Sequence, residues 1–322
     1  MESINIGVIG AGNMGRNHVR LLSEMPDFNL VGIFDINPQV KQTAELYNTQ
    51  FFTSISDLFS SVDAVVIASP SSTHLEIALT AADNGLHVLV EKPLGLDCNE
   101  AVAICEAFKK AQTVLAVGHV ERFNPVVLEV EKLLENEEII AVNTRRFSPK
   151  DLRISDADVI QDLLIHDLDI VMNCLNKSGI KRIHANGRAV YNENLVDYAH
   201  AILEFEDGVL ATLEASRATE DKVREIDIHT VNSFIRMDLF NKTLTITRRT
   251  NYRLDTGYRP TYRQENITEK VFIQLVEPLR AELLDYAQCI RSGEPPRIGG
   301  ENARYVLDIV DKMKKQIYYE GS

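Results

Sequence analysis

The segment Gly10-Ala11-Gly12-Asn13-Met14-Gly15 directly follows the β-branched run Ile4–Ile9 and opens an amphipathic stretch, Gly15–Glu24. A G-x-G-x-x-G loop between a strand and a helix leaves the chain little choice of local fold. Gly10 permits the tight turn, Gly12 lets the backbone approach a pyrophosphate, and Gly15 allows the helix to pack closely on the strand. The free N–H groups at the helix start are then aimed at phosphates. Asp35 stands twenty residues after Gly15, at the end of the next apolar run, Leu30–Phe34, as a dinucleotide fingerprint requires. Gly10, Gly12, Asn13, Met14, Gly15 and Asp35 are therefore candidate cofactor contacts. A carboxylate accepts two ribose hydroxyls and repels a 2′-phosphate, and no Arg or Lys lies between Asp35 and Lys41, so NAD is expected rather than NADP.

Up to about residue 120, β-branched runs alternate with helical stretches, the pattern of βαβ units around a parallel sheet. The runs are Ile4–Ile9, Leu30–Phe34, Ala64–Ala68, His87–Val90 and Val114–Val117, with a weaker one at Gln50–Phe52. Beyond residue 140, long alternating segments take over: Ile139–Phe147, Ile183–Val190, His200–Leu213, Arg224–Val231 and Ser233–Thr247. Turn dipeptides such as Asp207-Gly208 and Asn241-Lys242 punctuate them. The expectation is an α/β chain: a doubly wound Rossmann domain over 1–120, then a second α/β domain over 121–322. The second would have an open, mostly antiparallel mixed sheet with one face under an apolar helix near 158–175. Helices Pro278–Ser292 and Gly300–Tyr319 close the chain. A length of 322 residues fits two domains.

The charge sum of −13 argues against general attraction to nucleic acid or anionic lipid, so a phosphate-bearing ligand needs local cations or backbone amides. No apolar run reaches the roughly 20 residues of a membrane span, and Met1–Gly7 lacks a basic leader. Cys98, Cys105, Cys174 and Cys289 are scattered without zinc spacing and read as reduced thiols of a cytoplasmic protein. No metal site is expected.

Glu91 and Lys92 end an apolar strand, at the mouth of the crevice where a Rossmann-like domain meets its ligands, and are candidate cofactor contacts. The turn Ser69-Pro70-Ser71-Ser72-Thr73-His74 ends the preceding strand; it either edges the nicotinamide ribose, with Ser69, Ser71 and His74 as contacts, or caps the next helix. In the apolar stretch Val159–Val171, the polar residues Asp162, His166 and Asp169 fall within about 60° of arc at about 100° per residue. A polar stripe on a buried helix needs partners, and Asp162 is placed to orient the His166 imidazole. The alternative is a core histidine beside a capping aspartate. The segment Arg145–Arg153 carries four cations (Arg145, Arg146, Lys150, Arg153) in nine residues, a candidate diphosphate site.

Taken in order, Gly10-x-Gly12-x-Met14-Gly15-x-x-His18, Glu91-Lys92-Pro93, Gly118-His119-x-x-Arg122-Phe123-Asn124-Pro125 and Asp162-x-x-x-His166 resemble the glucose-fructose oxidoreductase/inositol dehydrogenase/MocA family (Gfo/Idh/MocA). The resemblance covers essentially the whole chain. It implies NAD(P)-dependent oxidation or reduction of sugars or polyols, with catalytic Lys92, Asp162 and His166. It also implies substrate contacts from Lys92, His119, Arg122, Asn124, Asp162 and His166, with Arg146 and Arg153 added from the cation-rich segment, and a homodimer or homotetramer. Which of Lys92 and His166 is the immediate base stays open. Gly118-His119-Val120-Glu121-Arg122-Phe123-Asn124-Pro125, Arg145-Arg146 and Asp158–Ile170 further resemble the branch that oxidises UDP-N-acetylglucosamine at its 3-hydroxyl. A simple hexose or inositol dehydrogenase is the alternative. From another class, a non-catalytic NAD-binding regulator would have no need of the Lys-Asp-His set. Long alternation in the second domain also predicts an apolar outer sheet face that a second copy would cover.

Overall fold

Six short apolar runs pair into a parallel sheet of order β3-β2-β1-β4-β5-β6. They are β1 (Ile4–Ile9), β2 (Phe28–Phe34), β3 (Gln50–Phe52), β4 (Ala64–Ile67), β5 (His87–Glu91) and β6 (Leu115–Gly118). The computed structural model describes residues 2–150, 157–175, 179–255 and 260–320. Crossover helices α1 (Asn13–Glu24), α2 (Lys41–Leu46), α3 (Ile55–Phe59), α4 (His74–Asp83) and α5 (Cys98–Ala111) connect the strands. Ile6, Val8, Val66 and Leu89 are fully buried because both sheet faces are covered, which is why these strands read as continuous apolar runs. The order reverses between β1 and β4, so the carboxyl ends of these two strands flank the crevice that the fold offers a ligand. The short α3 has no counterpart in the sequence reading; one capped turn, with Ser54 accepting from the Asp57 N–H, gives too little periodicity to detect.

The chain divides into two units, Met1–Val120 with Glu277–Asp311, and Glu121–Val276 with Lys312–Ser322. The boundary near 120 is where the sequence pattern changes. The expectation of one continuous second domain over 121–322 is corrected, because Glu277–Asp311 folds back into the first unit. The reason is apolar burial. On α8 (Pro278–Ser292), which follows α6 (Pro125–Leu134) and α7 (Ile165–Asp169) in the chain, Leu279, Leu283, Tyr286 and Ala287 join Ile4, Val19 and Leu22 in one core.

The second unit is built on an eight-stranded sheet of order β14-β13-β12-β11-β7-β10-β9-β8. Its strands are β7 (Ile139–Phe147), β8 (Ile180–Arg188), β9 (Tyr198–Phe205), β10 (Leu210–Ser216), β11 (Val223–Thr230), β12 (Ser233–Asp238), β13 (Thr243–Asp255) and β14 (Pro260–Val271). All neighbours are antiparallel except β7 and β10, which makes the sheet mixed. The predicted runs His200–Leu213 and Ser233–Thr247 each break into two strands, at Gly208 (φ 87°) and Lys242 (φ 55°). Strand β14 was not foreseen; its sequence is polar and lacks apolar alternation. A helix over 160–174 packs on the inner faces of β7 and β10. Its central turn is α7, whereas Ile160–Leu164 and Ile170–Cys174 are wide, π-type turns.

The outer sheet face differs from the expected apolar surface. Glu214, Arg145 and Glu225 lie side by side across β10, β7 and β11, and Arg236 bonds Asp227 across β12 and β11 at 2.8 Å. Cross-strand charge pairing keeps this face compatible with water. Tyr198, Ile202 and Leu210 are the exposed apolar side chains on β9 and β10.

Candidate active site

In the first unit, the loop after β1 has the geometry a dinucleotide needs. Gly10 has φ 82°, and a Cβ there would meet the Ser69 backbone at 2.7 Å. At Gly15 a Cβ would lie 1.9 Å from the Gly10 carbonyl, so only glycine lets α1 start this close to β1. Gly12, the residue before α1, has open space where its Cβ would be and no side chain capping the helix. Asn13 and Met14 begin the helix beside it. Free N–H groups and an open approach form a phosphate cradle. Asp35, half-buried at the end of β2, accepts from the Ala11 and Asn37 N–H groups, both at 2.8 Å, one on each carboxylate oxygen. Each oxygen keeps a lone pair for a ribose hydroxyl. The residues present fit NAD.

Ser69 and Ser71 lie half-buried at the turn after β4, and Ser69 Oγ is 2.7 Å from Thr73 Oγ1. His74 is corrected as a cofactor contact. It is 1% exposed, with Nδ1 2.9 Å from the Pro93 carbonyl and Nε2 3.0 Å from that of Ser69. Its burial lowers its pKa below the ordinary histidine value. The ring ties the serine turn to the corner after Lys92. Glu91 is corrected as well. Its carboxylate is turned into the core, 2.7 Å from His18 Nε2, with the other oxygen over Gly118, where a Cβ would approach it to 2.9 Å. Lys92, half-buried and next in sequence, remains a site candidate, while His119, one residue beyond β6, is 1% exposed.

The second unit carries the other candidates. Asp162 and His166 are half-buried on the 160–174 helix, one turn apart, while Asp169 is turned inward at 1% exposure. Asp169 bonds Asn173 Nδ2 at 2.8 Å and lies 3.9 Å from Arg122 Nη1. The polar stripe thus splits: Asp162 and His166 keep access to the surface, and Asp169 anchors. Arg122 is 6% exposed, and its Nε and Nη1 have no hydrogen-bond acceptor among the described residues. Asn124 is corrected as a substrate contact. Its Oδ1 caps α6 through the Val126 N–H at 3.1 Å, and its Nδ2 donates to the Leu239 carbonyl at 3.2 Å.

Among the described residues, Arg145, Arg146 and Lys150 of the cation-rich segment do not converge on one site. Adjacent residues of a strand face opposite sides. Arg145 therefore sits on the outer face bonded to Glu225, and Arg146 on the inner face, 2% exposed. Arg146 donates from Nε at 3.0 Å and Nη2 at 2.6 Å to Asp167. Burial by itself lowers the Arg146 pKa, but Asp167 and Glu121 outweigh it and hold the guanidinium charged. Lys150 stacks on the Tyr191 ring at 3.9 Å, and Arg153 lies outside the described residues. Arg146 is thus a strut between β7 and α7 and not a ligand contact.

The sequence reading missed Asp158, which sits just before the helix and accepts from the Ile160 and Gln161 N–H groups at 3.0 Å each. An aspartate directly before an apolar helical run was the available signal. A cavity of about 680 Å³ opens at the amino ends of β5 and β6, beside His87 and Pro296, and holds none of the candidate residues. Among the described residues, no helix is long and apolar enough to cross a membrane.

Comparison with known proteins matches residues 4–119 to the oxidoreductase family Gfo/Idh/MocA, NAD-binding Rossmann fold, and residues 139–233 to the Gfo/Idh/MocA C-terminal domain. The chain belongs to the Gfo/Idh/MocA oxidoreductase family. It is 31% identical over 315 residues to the UDP-N-acetylglucosamine 3-dehydrogenase of Acidithiobacillus ferrooxidans, covering 95% of each chain. A solved structure of that enzyme superposes with a TM-score of 0.89 at 30% identity, over 98% of both chains. The myo-inositol 2-dehydrogenase of Thermotoga maritima is 26% identical over 332 residues, covering 98% of this chain and 96% of its own.

Proposed function

We propose that this chain is an NAD-dependent sugar dehydrogenase that oxidises the 3-hydroxyl of UDP-N-acetylglucosamine or a close UDP-N-acetylhexosamine. The similarity to a dehydrogenase of that specificity carries the reading, since it runs through both units at 31% identity rather than through the cofactor half alone. The cradle after β1 and Asp35 would hold NAD, which would supply the hydride acceptor for the alcohol carbon. The hydroxyl proton leaves to a side chain of this protein. A neutral His166 imidazole takes such a proton near neutral pH, and Lys92 donates a hydrogen bond to the same oxygen, stabilising its developing negative charge. Lys92 as acceptor and His166 as donor is the reverse assignment of the same pair. Asp162, one turn before His166, orients the imidazole. Arg122, paired with Asp169 but with Nε and Nη1 lacking a hydrogen-bond acceptor among the described residues, is the cation this reading assigns to the substrate.

Loss of a general base typically costs about 10²–10⁴-fold, so His166→Ala and Lys92→Ala are expected to lower kcat on that scale. NAD affinity, read by fluorescence titration, should hold. Wild-type turnover in both variants overturns the roles. The substrate is tested by following NADH absorbance with UDP-N-acetylglucosamine, free hexoses and myo-inositol. The scattering of Arg145, Arg146 and Lys150 favours a second reading, a polyol such as inositol, which needs no diphosphate site. NADH formation from myo-inositol alone selects it. Silence with every sugar points to a regulator instead. We also propose a cytoplasmic homodimer or homotetramer.

A further inference from the structure

Asp158 is 2% exposed, and its carboxylate gathers four donors. Oδ1 accepts from the Ile160 and Gln161 N–H groups. Oδ2 accepts from the Tyr318 hydroxyl at 3.3 Å and lies 3.3 Å from Lys314 Nζ. The same Tyr318 oxygen accepts from the Val196 N–H at 3.0 Å, and the Val196 carbonyl accepts from the Val159 N–H at 3.0 Å. The amino end of the 160–174 helix is thus pinned on two sides by groups far away in sequence. Burial, reinforced by Asp158, pushes the Tyr318 hydroxyl up to about 12, so it stays a donor throughout the neutral range.

The segment bearing Tyr318 is itself anchored. Strand β8 is the last in its sheet, which leaves a row of backbone groups without a neighbouring strand. Gln316 meets two of them: its Oε1 accepts from the Ala185 N–H and its Nε2 donates to the Ile183 carbonyl, both at 2.9 Å. Ile317 packs where a Cβ on Gly187 would come within 3.0 Å. Residues 314–318 therefore form a strap from the edge of the sheet to the cap of the helix.

We propose that Tyr318 is a positioning residue for the reaction, acting through Asp158 to hold the helix that carries Asp162 and His166, with Gln316 fixing the strap. Asp158 precedes Asp162 by four residues, and its carbonyl accepts from the Asp162 N–H at 3.0 Å, so a shift of the cap moves the acid–base pair. The inference rests on the proposed role of His166.

The test uses the full chain, NAD, and whichever of UDP-N-acetylglucosamine or myo-inositol reduces it. A misplacement near 1 Å can cost about 10²-fold, and losing one of several tethers shifts the helix less, so Tyr318→Phe is expected to lower kcat roughly tenfold. NAD affinity and the substrate KM should hold, and the NAD-binding stoichiometry per chain should stay at the wild-type level, which a loss of folded protein would lower. Because Tyr318 acts through Asp158, Tyr318→Phe with Asp158→Asn should be no slower than the slower single variant. If Tyr318→Phe fails to fold, Lys314→Gln loosens the same carboxylate and carries the same expectation. A folded variant within twofold of wild-type kcat, or losses that multiply in the double variant, overturns the inference. His166→Ala, run in parallel, separates the two claims: full activity there defeats the acid–base assignment, whereas an inactive His166→Ala beside a fully active Tyr318→Phe defeats only the strap.

Discussion

At the end of β5, Glu91 lies beside His18, and close enough to Glu282 on α8 for the two carboxyl groups to repel. Glu282 is 3% exposed, and neither of its carboxyl oxygens has a hydrogen-bond partner among the described residues. Burial, then repulsion from Glu91 and Asp285, holds its pKa well above the ordinary glutamate value. The sign of the linkage follows. Above a pH of about 4.3 the unfolded chain releases this proton while the folded chain keeps it, so stability falls as pH rises toward the folded pKa. One proton contributes at most about 1.4 kcal/mol per pH unit. Glu282→Gln keeps the shape and removes the titration. Its melting temperature should therefore decline less than that of wild type between pH 5 and pH 8, and parallel declines by calorimetry would refute the assignment. The acidic residue was visible in the sequence, but its burial was not. A glutamate at position 282 reads as a solvated face until α8 is packed into the core of the first unit.

The 160–174 helix shows how an element is held by charges its own sequence does not reveal as partners. Arg146 on β7 and Asp167 on α7 are 2.6 Å apart at closest approach, both 2% exposed. Arg146→Met leaves Asp167 buried without its main partner, and a broken buried pair typically costs about 3–5 kcal/mol. Urea unfolding of Arg146→Met should show a loss of that size, and Arg146→Met with Asp167→Leu should recover most of it. A loss under about 1 kcal/mol in the single variant would mean that Arg224, which also favours the charged form of Asp167 and pairs with Glu121 at 2.9 Å, already compensates the carboxylates. The alternation of β7 was legible and already implied that Arg145 and Arg146 face opposite sides. What the period could not convey was the π-type turns, which interrupt the even 100° spacing and let Asp169 turn inward while His166 stays half-buried.

At the scale of the whole molecule, the outer sheet face decides what assembly requires. Among the described residues, charge pairs such as Arg145 with Glu225 and Arg236 with Asp227 break up the apolar surface of that face around Tyr198, Ile202 and Leu210. A homodimer or homotetramer would instead seat Tyr198, Ile202 and Leu210 at the centre of a polar, two-fold contact. Light scattering at micromolar concentration is expected to give at least twice 36.2 kDa, and the mass should fall in high salt as the rim charges are screened. A mass near 36 kDa at low salt overturns the proposed assembly.

The sequence by itself determined the cofactor half. Gly10, Gly15 and Asp35 act through local backbone geometry and a fixed spacing along one βαβ unit, so their meaning survives without knowledge of distant residues. It also determined the change of pattern near residue 120 and the candidacy of Lys92, Asp162 and His166, because charged groups ending or striping apolar elements stand out. Only the tertiary structure decided which polar residues are struts. Glu91, His74, Asn124 and Arg146 carry the same functional groups as ligand contacts, and burial beside a partner from another element turned them inward. The same holds for residues 277–311 and for Tyr318. Their roles depend on contacts across more than a hundred residues, which hydrophobic periodicity does not encode.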